Sequence, residues 1–399
     1  MLAIGATSSA WTRVCISIVL PAFLAGCQHS SRHHATDPAA QQPGPPGYKA
    51  AQHYTTTSTL EAWKLAGEPV EMTLLRPVGT SVVPLVIYLP GLGEPSSAGA
   101  AWRQAWAQAG YAVLSLQSVA NGETIWSSAE ARNGDFRDLA KERFSRGALA
   151  KRLNVLRALF EELNRRRDSG ALSGVDMSHI ALAGFDLGAQ TVMASAGEAG
   201  YDIEPFALPD AVKCLIVLSP YADPTSAGFE NRFAMIHGTI LFVTSRDDTD
   251  PYGLVTSAAI RRVPFEQVPP GQKYLLNLAG APHALIAGKE TPVRDNAVLA
   301  RDDSSQAATG DSTSQGATGR HKGRGGGSQG SRRGDGNDAT DTQSSSTISA
   351  ASWTAQLAEV QSVTTAYLDA NLKNDGVATD WLTRDAGRWL GNRADLIVK

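Results

Sequence analysis

The chain has 399 residues, 42% of them hydrophobic and 19% charged, which is enough apolar content for about one ordinary globular domain with additions. Its 36 Lys and Arg nearly balance 39 Asp and Glu, giving a formal net charge of -3, so there is no basic stripe of the kind nucleic acid requires. The one dense basic cluster, Arg165, Arg166 and Arg167, falls at a predicted helix end, where it complements the helix dipole.

At the N-terminus, Arg13 precedes the apolar run 14–24, which is too short to cross a bilayer as a helix and ends in Leu24-Ala25-Gly26-Cys27. This segment resembles a bacterial lipoprotein signal: small residues precede the cut, and the Cys27 thiol receives the lipid. The resemblance implies a signal peptide over 1–26 and a lipid-anchored protein of the bacterial cell envelope. Gln28 after the cysteine favours passage to an outer membrane where the cell has one. Residues 27–51, with Pro-Gly-Pro-Pro-Gly at 43–47, read as a flexible tether. Of the three cysteines, Cys15 leaves with the signal, Cys27 is blocked, and Cys214 sits in an apolar strand, so no disulfide is expected.

Residues 55–78 mix polar and apolar positions around a Gly67-Glu68 turn and predict an antiparallel hairpin at a sheet edge. The run 84–90, Pro-Leu-Val-Ile-Tyr-Leu-Pro, is continuously apolar as buried parallel strands are, and Gly91-Leu92-Gly93 follows it as a tight turn. A helix is expected over 102–109, a strand over 111–117 and a long crossover helix over 135–167. Then come a strand at 180–183, a small-residue helix at 188–197, and strands at 212–219, 240–244 and 273–278. Strands that alternate with helices predict an α/β fold with a mostly parallel, doubly wound sheet.

The junction at 184–188, Gly-Phe-Asp-Leu-Gly, has the layout of a nucleophile elbow, in which strand and helix meet so closely that both flanking positions must be Gly184 and Gly188. Asp186 stands at the apex, where serine stands in G-x-S-x-G. The backbone N–H groups of Leu92 and Leu187 are the expected oxyanion donors. Chain order then puts an acid after the strand at 240–244 and a histidine after that at 273–278. His283 is the candidate base and Asp247 the candidate acid, with Asp248, Asp250 and Asp223 as nearby alternatives. No Cys/His spacing suggests zinc, and the Asp-Asp-Thr-Asp run at 247–250 lacks the glycine and distal glutamate of a calcium loop, so no metal or cofactor is expected.

Together, Pro-Gly-Leu-Gly-Glu at 90–94, Gly-Phe-Asp-Leu-Gly-Ala-Gln at 184–190, the segment at 243–252 and Gly-Ala-Pro-His at 280–283 resemble bacterial dienelactone-hydrolase-like α/β-hydrolases, relatives of platelet-activating-factor acetylhydrolases and cutinase-like esterases. The resemblance spans about 55–287 and the C-terminal helix. It implies an α/β-hydrolase fold and a small, ester-like substrate. Most such enzymes carry serine at the position of Asp186. Aspartate there resembles haloalkane dehalogenases and epoxide hydrolases, in which the carboxylate forms an ester that a His-activated water hydrolyses. Those enzymes insert a helical cap where this chain has only 220–239, and they place an aromatic residue where it has Leu187, so no large cap is expected. The alternative is a catalytically inactive pseudohydrolase, a ligand- or protein-binding module in which Asp186 merely caps the helix.

Residues 301–350 are rich in Gly, Ser, Thr, Asp and Gln, have no aromatic residue, and read as a disordered insertion. It separates the first part of the domain, 52–300, from the C-terminal part, 351–399, where helices are expected over 354–372 and 381–390.

Overall fold

The computed structural model describes residues 45–167, 170–222, 228–292 and 348–399. The expected signal segment, Cys27 and nearly all of the expected 301–350 insertion lie outside the described residues, as does Asp223.

One nine-stranded mixed sheet organises the molecule: β1 (Thr56–Leu65), β2 (Glu68–Pro77), β3 (Val83–Leu89), β4 (Ala112–Ser118), β5 (Val175–Phe185), β6 (Val212–Leu218), β7 (Ile240–Ser245), β8 (Lys273–Leu278) and β9 (Ala394–Val398). Their spatial order is β1-β2-β4-β3-β5-β6-β7-β8-β9. The expected hairpin is β1 with β2, antiparallel throughout, and β2 pairs antiparallel with β4. From β4 to β8 every pairing is parallel, and β9 returns antiparallel along β8.

Among the described residues the α-helices are α1 (Ala100–Gln108), α2 (Ala129–Arg132), α3 (Phe136–Phe144), α4 (Arg146–Arg165), α5 (Leu187–Ser195), α6 (Val263–Gln267), α7 (His283–Ile286), α8 (Ala350–Leu372), α9 (Gly376–Asp380) and α10 (Ala386–Leu390). They lie on both faces of the sheet, because the central strands are apolar on both. Along β3, Leu85, Ile87 and Leu89 join the core formed with α3, α4 and α5, while Val86 and Tyr88 join the opposite core formed with α1 and α8. In β5, Ile180 and Leu182 face the first core, and Ala181, Ala183 and Phe185 the second.

Several local expectations are corrected. The crossover helix at 135–167 is two helices, broken at Ser145, whose extended backbone (φ -63°, ψ 158°) lets its hydroxyl cap the Ala148 N–H. The strand β9 was not anticipated. Helix α8 starts at Ala350, capped by the Ser349 side chain, so the ordered C-terminal part begins before 351. Within the stretch expected to be a tether, Trp381 Nε1 donates to the Pro46 carbonyl (3.1 Å), and the Tyr48 hydroxyl donates to Asp369 (2.6 Å). Residues 46–48 are thus bound to the C-terminal helices.

Candidate active site

The site forms at the carboxyl ends of β3, β5, β6, β7 and β8, where a parallel sheet collects its loops. Strand β5 runs into α5 through Asp186, whose backbone is strained at φ 50°, ψ -104°. The turn is tight enough that a Cβ on Gly184 would lie 2.4 Å from the Gly188 backbone, and one on Gly188 would lie 2.0 Å from the Leu89 carbonyl oxygen. Both glycines are therefore steric requirements of the junction. The Asp186 side chain makes no capping bond to α5, although its carbonyl accepts the Gln190 N–H at 3.0 Å. Asp186 is thus the N-cap residue of α5 by its backbone and not by its carboxylate.

His283 opens α7 after β8, and its Nδ1 lies 2.7 Å from an Asp248 carboxylate oxygen. Of the candidate acids, the fold therefore brings Asp248 and not Asp247 to His283. The chain leaves β7 at Ser245 and turns so that Asp248 is fully buried while Asp247 is exposed, its N–H bound to the Ser245 hydroxyl at 2.9 Å. Asp250 is also accounted for: it accepts the N–H groups of Tyr252 and Val255 at 3.0 and 2.7 Å and shapes its own turn.

Asp248 is heavily supported. It accepts the Ser219 hydroxyl at 2.6 Å and the Thr244 hydroxyl at 2.8 Å, and the buried Arg261 lies 3.3 Å from it. Ser219, at the end of β6 with φ 54°, also stands 2.9 Å from His283 Nδ1. With Nδ1 held by this acid, Nε2 is the imidazole nitrogen left to act on substrate or water.

The electrostatics follow from burial and these neighbours. Burial opposes the Asp248 charge, but Arg261, His283 and Ser219 outweigh it and hold its carboxyl below the ordinary carboxylate range. Burial also opposes the imidazolium of His283, yet the bond and charge of Asp248, with Asp186 adding to them, raise its pKa. Asp186 is raised by burial, only partly offset by His283 and Arg261. As a residue Asp186 is 3% exposed.

The turn after β3 is clamped. Gly91 N–H donates to Glu94 at 3.0 Å, Gly93 N–H to the Asn121 carbonyl at 2.8 Å and Glu94 N–H to the Gly91 carbonyl at 3.4 Å. Gln117 donates to the Gly91 carbonyl, Trp126 to that of Gly93 and Tyr252 to that of Leu92. Among the described residues, Leu92 N–H is the one in this turn without an acceptor. Leu187 is the first residue of α5, so its N–H has no intrahelical acceptor either.

Sequence reasoning missed Ser219, Arg261, Glu94 and Tyr252. Glu94 is pushed up to about 7, chiefly by burial, against the Gly91 N–H bond and the charges of Lys289 and His283. Only Glu94 carried a signal, its place directly after the glycine turn. Among the described residues no cluster of metal-ligating side chains occurs, and no helix is long and apolar enough to cross a membrane. No family model matches the sequence, and no curated protein is significantly similar to it.

Proposed function

We propose that the protein is an α/β-hydrolase that cleaves a small ester or related substrate through a covalent ester on Asp186. The observation that carries this reading is the strained, buried Asp186 at a strand-to-helix turn, whose charge acts on a histidine with its Nδ1 held by Asp248. The strand order with β2 reversed, and the elbow directly after β5, support the fold assignment.

In the first step an Asp186 oxygen attacks the alkyl carbon of the substrate's C–O bond, and the bond electrons leave with the departing carboxylate. Asp186 is then a neutral ester. One negative charge that favoured the His283 imidazolium disappears, and the histidine becomes a better base. His283 takes a proton from water, and the resulting hydroxide attacks the Asp186 carbonyl carbon. The N–H groups of Leu92 and Leu187 hold the oxyanion. Collapse expels the alkoxide, which takes the proton from His283, and leaves Asp186 as its carboxylic acid, which releases its proton to solvent and restores the carboxylate. The sum is ester plus water to carboxylate, alcohol and a proton.

His283→Ala removes the base of the second step and leaves the first. An alkyl adduct on the peptide containing Asp186 is expected to accumulate on incubation with an alkyl halide or an alkyl ester of a strong acid, read by mass spectrometry. A variant that forms no adduct from a substrate its parent turns over argues for direct attack by water. A parent that binds such compounds without turnover or adduct supports the binding-module reading instead.

The reading includes a lipid anchor on Cys27 in the bacterial envelope, supported by Leu-Ala-Gly-Cys at 24–27 after an apolar run. Cys27→Ser is expected to move the protein from the membrane fraction to the soluble one. Retention in the membrane fraction, with detergent still needed for release, overturns the anchor.

A further inference from the structure

A cavity of about 350 Å³ lies beside the elbow, with Leu187 and Gly188 among its lining residues. One part of its wall is apolar, formed by Leu89, Leu116, Val155 and Leu156, and another carries Arg143, Lys151 and Arg152. These three cations differ in how they are used. Arg152 is fixed: its guanidinium donates to the Thr191 hydroxyl at 2.9 Å, to the Arg143 carbonyl at 2.5 Å and to the Gln190 side chain. Arg143 is not. Its Nε is shielded from solvent and has no hydrogen-bond partner among the described residues. Lys151 likewise forms no ion pair or hydrogen bond among them. Glu68 and Glu142 also line the cavity, so its cations outnumber its carboxylates.

A guanidinium nitrogen withdrawn from water and left without an acceptor is unfavourable unless a ligand supplies one. An oxyanion satisfies a guanidinium best, since its oxygens match the planar donor fork. We infer that this cavity is a subsite for a substrate that carries an oxyanion head, carboxylate or phosphorus oxyacid, on a short apolar body. The head would meet Arg143 and Lys151, and the body would lie on Leu89, Leu116, Val155 and Leu156, next to Leu187 and Gly188 at the start of α5. The inference rests on the hydrolase reading for the word substrate; the binding itself does not depend on it.

Calorimetric titration of the full protein with three unreactive probes of similar shape tests it: phenylacetate, phenylacetamide and benzylphosphonate. At least one of the two anions is expected to bind about tenfold or more tightly than the neutral amide. Arg143→Gln is expected to bring that ratio to about one, and Arg143→Lys to restore part of it. Lys151→Gln, at an exposed position, is expected to reduce the ratio without affecting folding. The tighter anion identifies the head group as carboxylate or phosphorus oxyacid, and either order supports the subsite. Equal binding of anions and amide, no binding of any probe, or a ratio unchanged in both glutamine variants overturns it. None of these readings needs turnover. A protein that prefers the anions yet forms no adduct on Asp186 keeps the subsite and loses the hydrolase reading; the reverse result does the opposite.

Discussion

At Asp186 two costs meet: a backbone at φ 50°, ψ -104°, which a non-glycine residue holds at about 1–3 kcal/mol of strain, and a carboxylate withdrawn from water. Nothing in α5 repays them, since the side chain makes no capping bond. Such an outlier points to a role in chemistry, and the role proposed for it depends on electrical coupling to His283. Asp186→Asn keeps the shape and removes the charge, as the ester intermediate would. Because Asp186 raises the His283 pKa, the imidazole in Asp186→Asn is expected to lose its proton at lower pH than in the parent, read by NMR titration of the ring. Asp248→Asn is expected to shift it further in the same direction, since the Asp248 hydrogen bond and charge are stronger influences on the ring than Asp186. A ring that titrates alike in Asp186→Asn and the parent removes the switch by which the ester intermediate activates its own base.

Between elements, the closest backbone approach at the site is the crossing of β3, β5 and α5. A Cβ at Gly188 would stand 2.0 Å from the Leu89 carbonyl oxygen, a backbone atom that cannot swing aside as a flexible side chain can. Gly188→Ala is expected to cost about 3 kcal/mol, the upper end of overpacking, seen as a lower denaturant midpoint with unchanged slope. A variant as stable as the parent means the junction can open. The same crossing explains what could be read without coordinates. Buried parallel strands are apolar on both faces, so β3, β5, β6, β7 and β8 stand out as runs, and a paired glycine around one polar residue marks the elbow between them. Strand β9 has no such mark, because Ala394 is its one buried residue. Two adjacent aspartates after β7 are equally visible in the sequence, yet one residue of turn sends Asp247 to solvent and Asp248 under His283. Arg261 is further out of reach: its role depends on a long side chain reaching from a short helical turn to the Asp248 and Ser219 carbonyls.

For the whole molecule, the question is how the sheet and α8 become one folded unit when residues 293–347 separate them in the chain. The two flanks meet in space: Trp353 Nε1 on α8 donates to the Lys289 carbonyl at 3.0 Å, three residues after α7 ends. Helix α8 then buries Trp353, Val360, Val363 and Leu368 in the core shared with α1 and the sheet, and the Tyr367 hydroxyl reaches the Leu215 carbonyl at 3.1 Å. These contacts hold the flanks together whatever length of chain joins them. Closing a flexible loop costs only about 0.6 kcal/mol for each doubling of its length. Replacing residues 296–345 with a short Gly-Ser linker, while keeping Ile348 and the Ser349 cap, is therefore expected to leave thermal unfolding cooperative and the stability equal or higher by about 1–2 kcal/mol. Adduct formation on Asp186 in His283→Ala should also survive the excision, since no residue assigned to the site lies between those points. A broadened or lost transition in the shortened chain, seen by calorimetry, would instead show that the removed segment contributes contacts of its own.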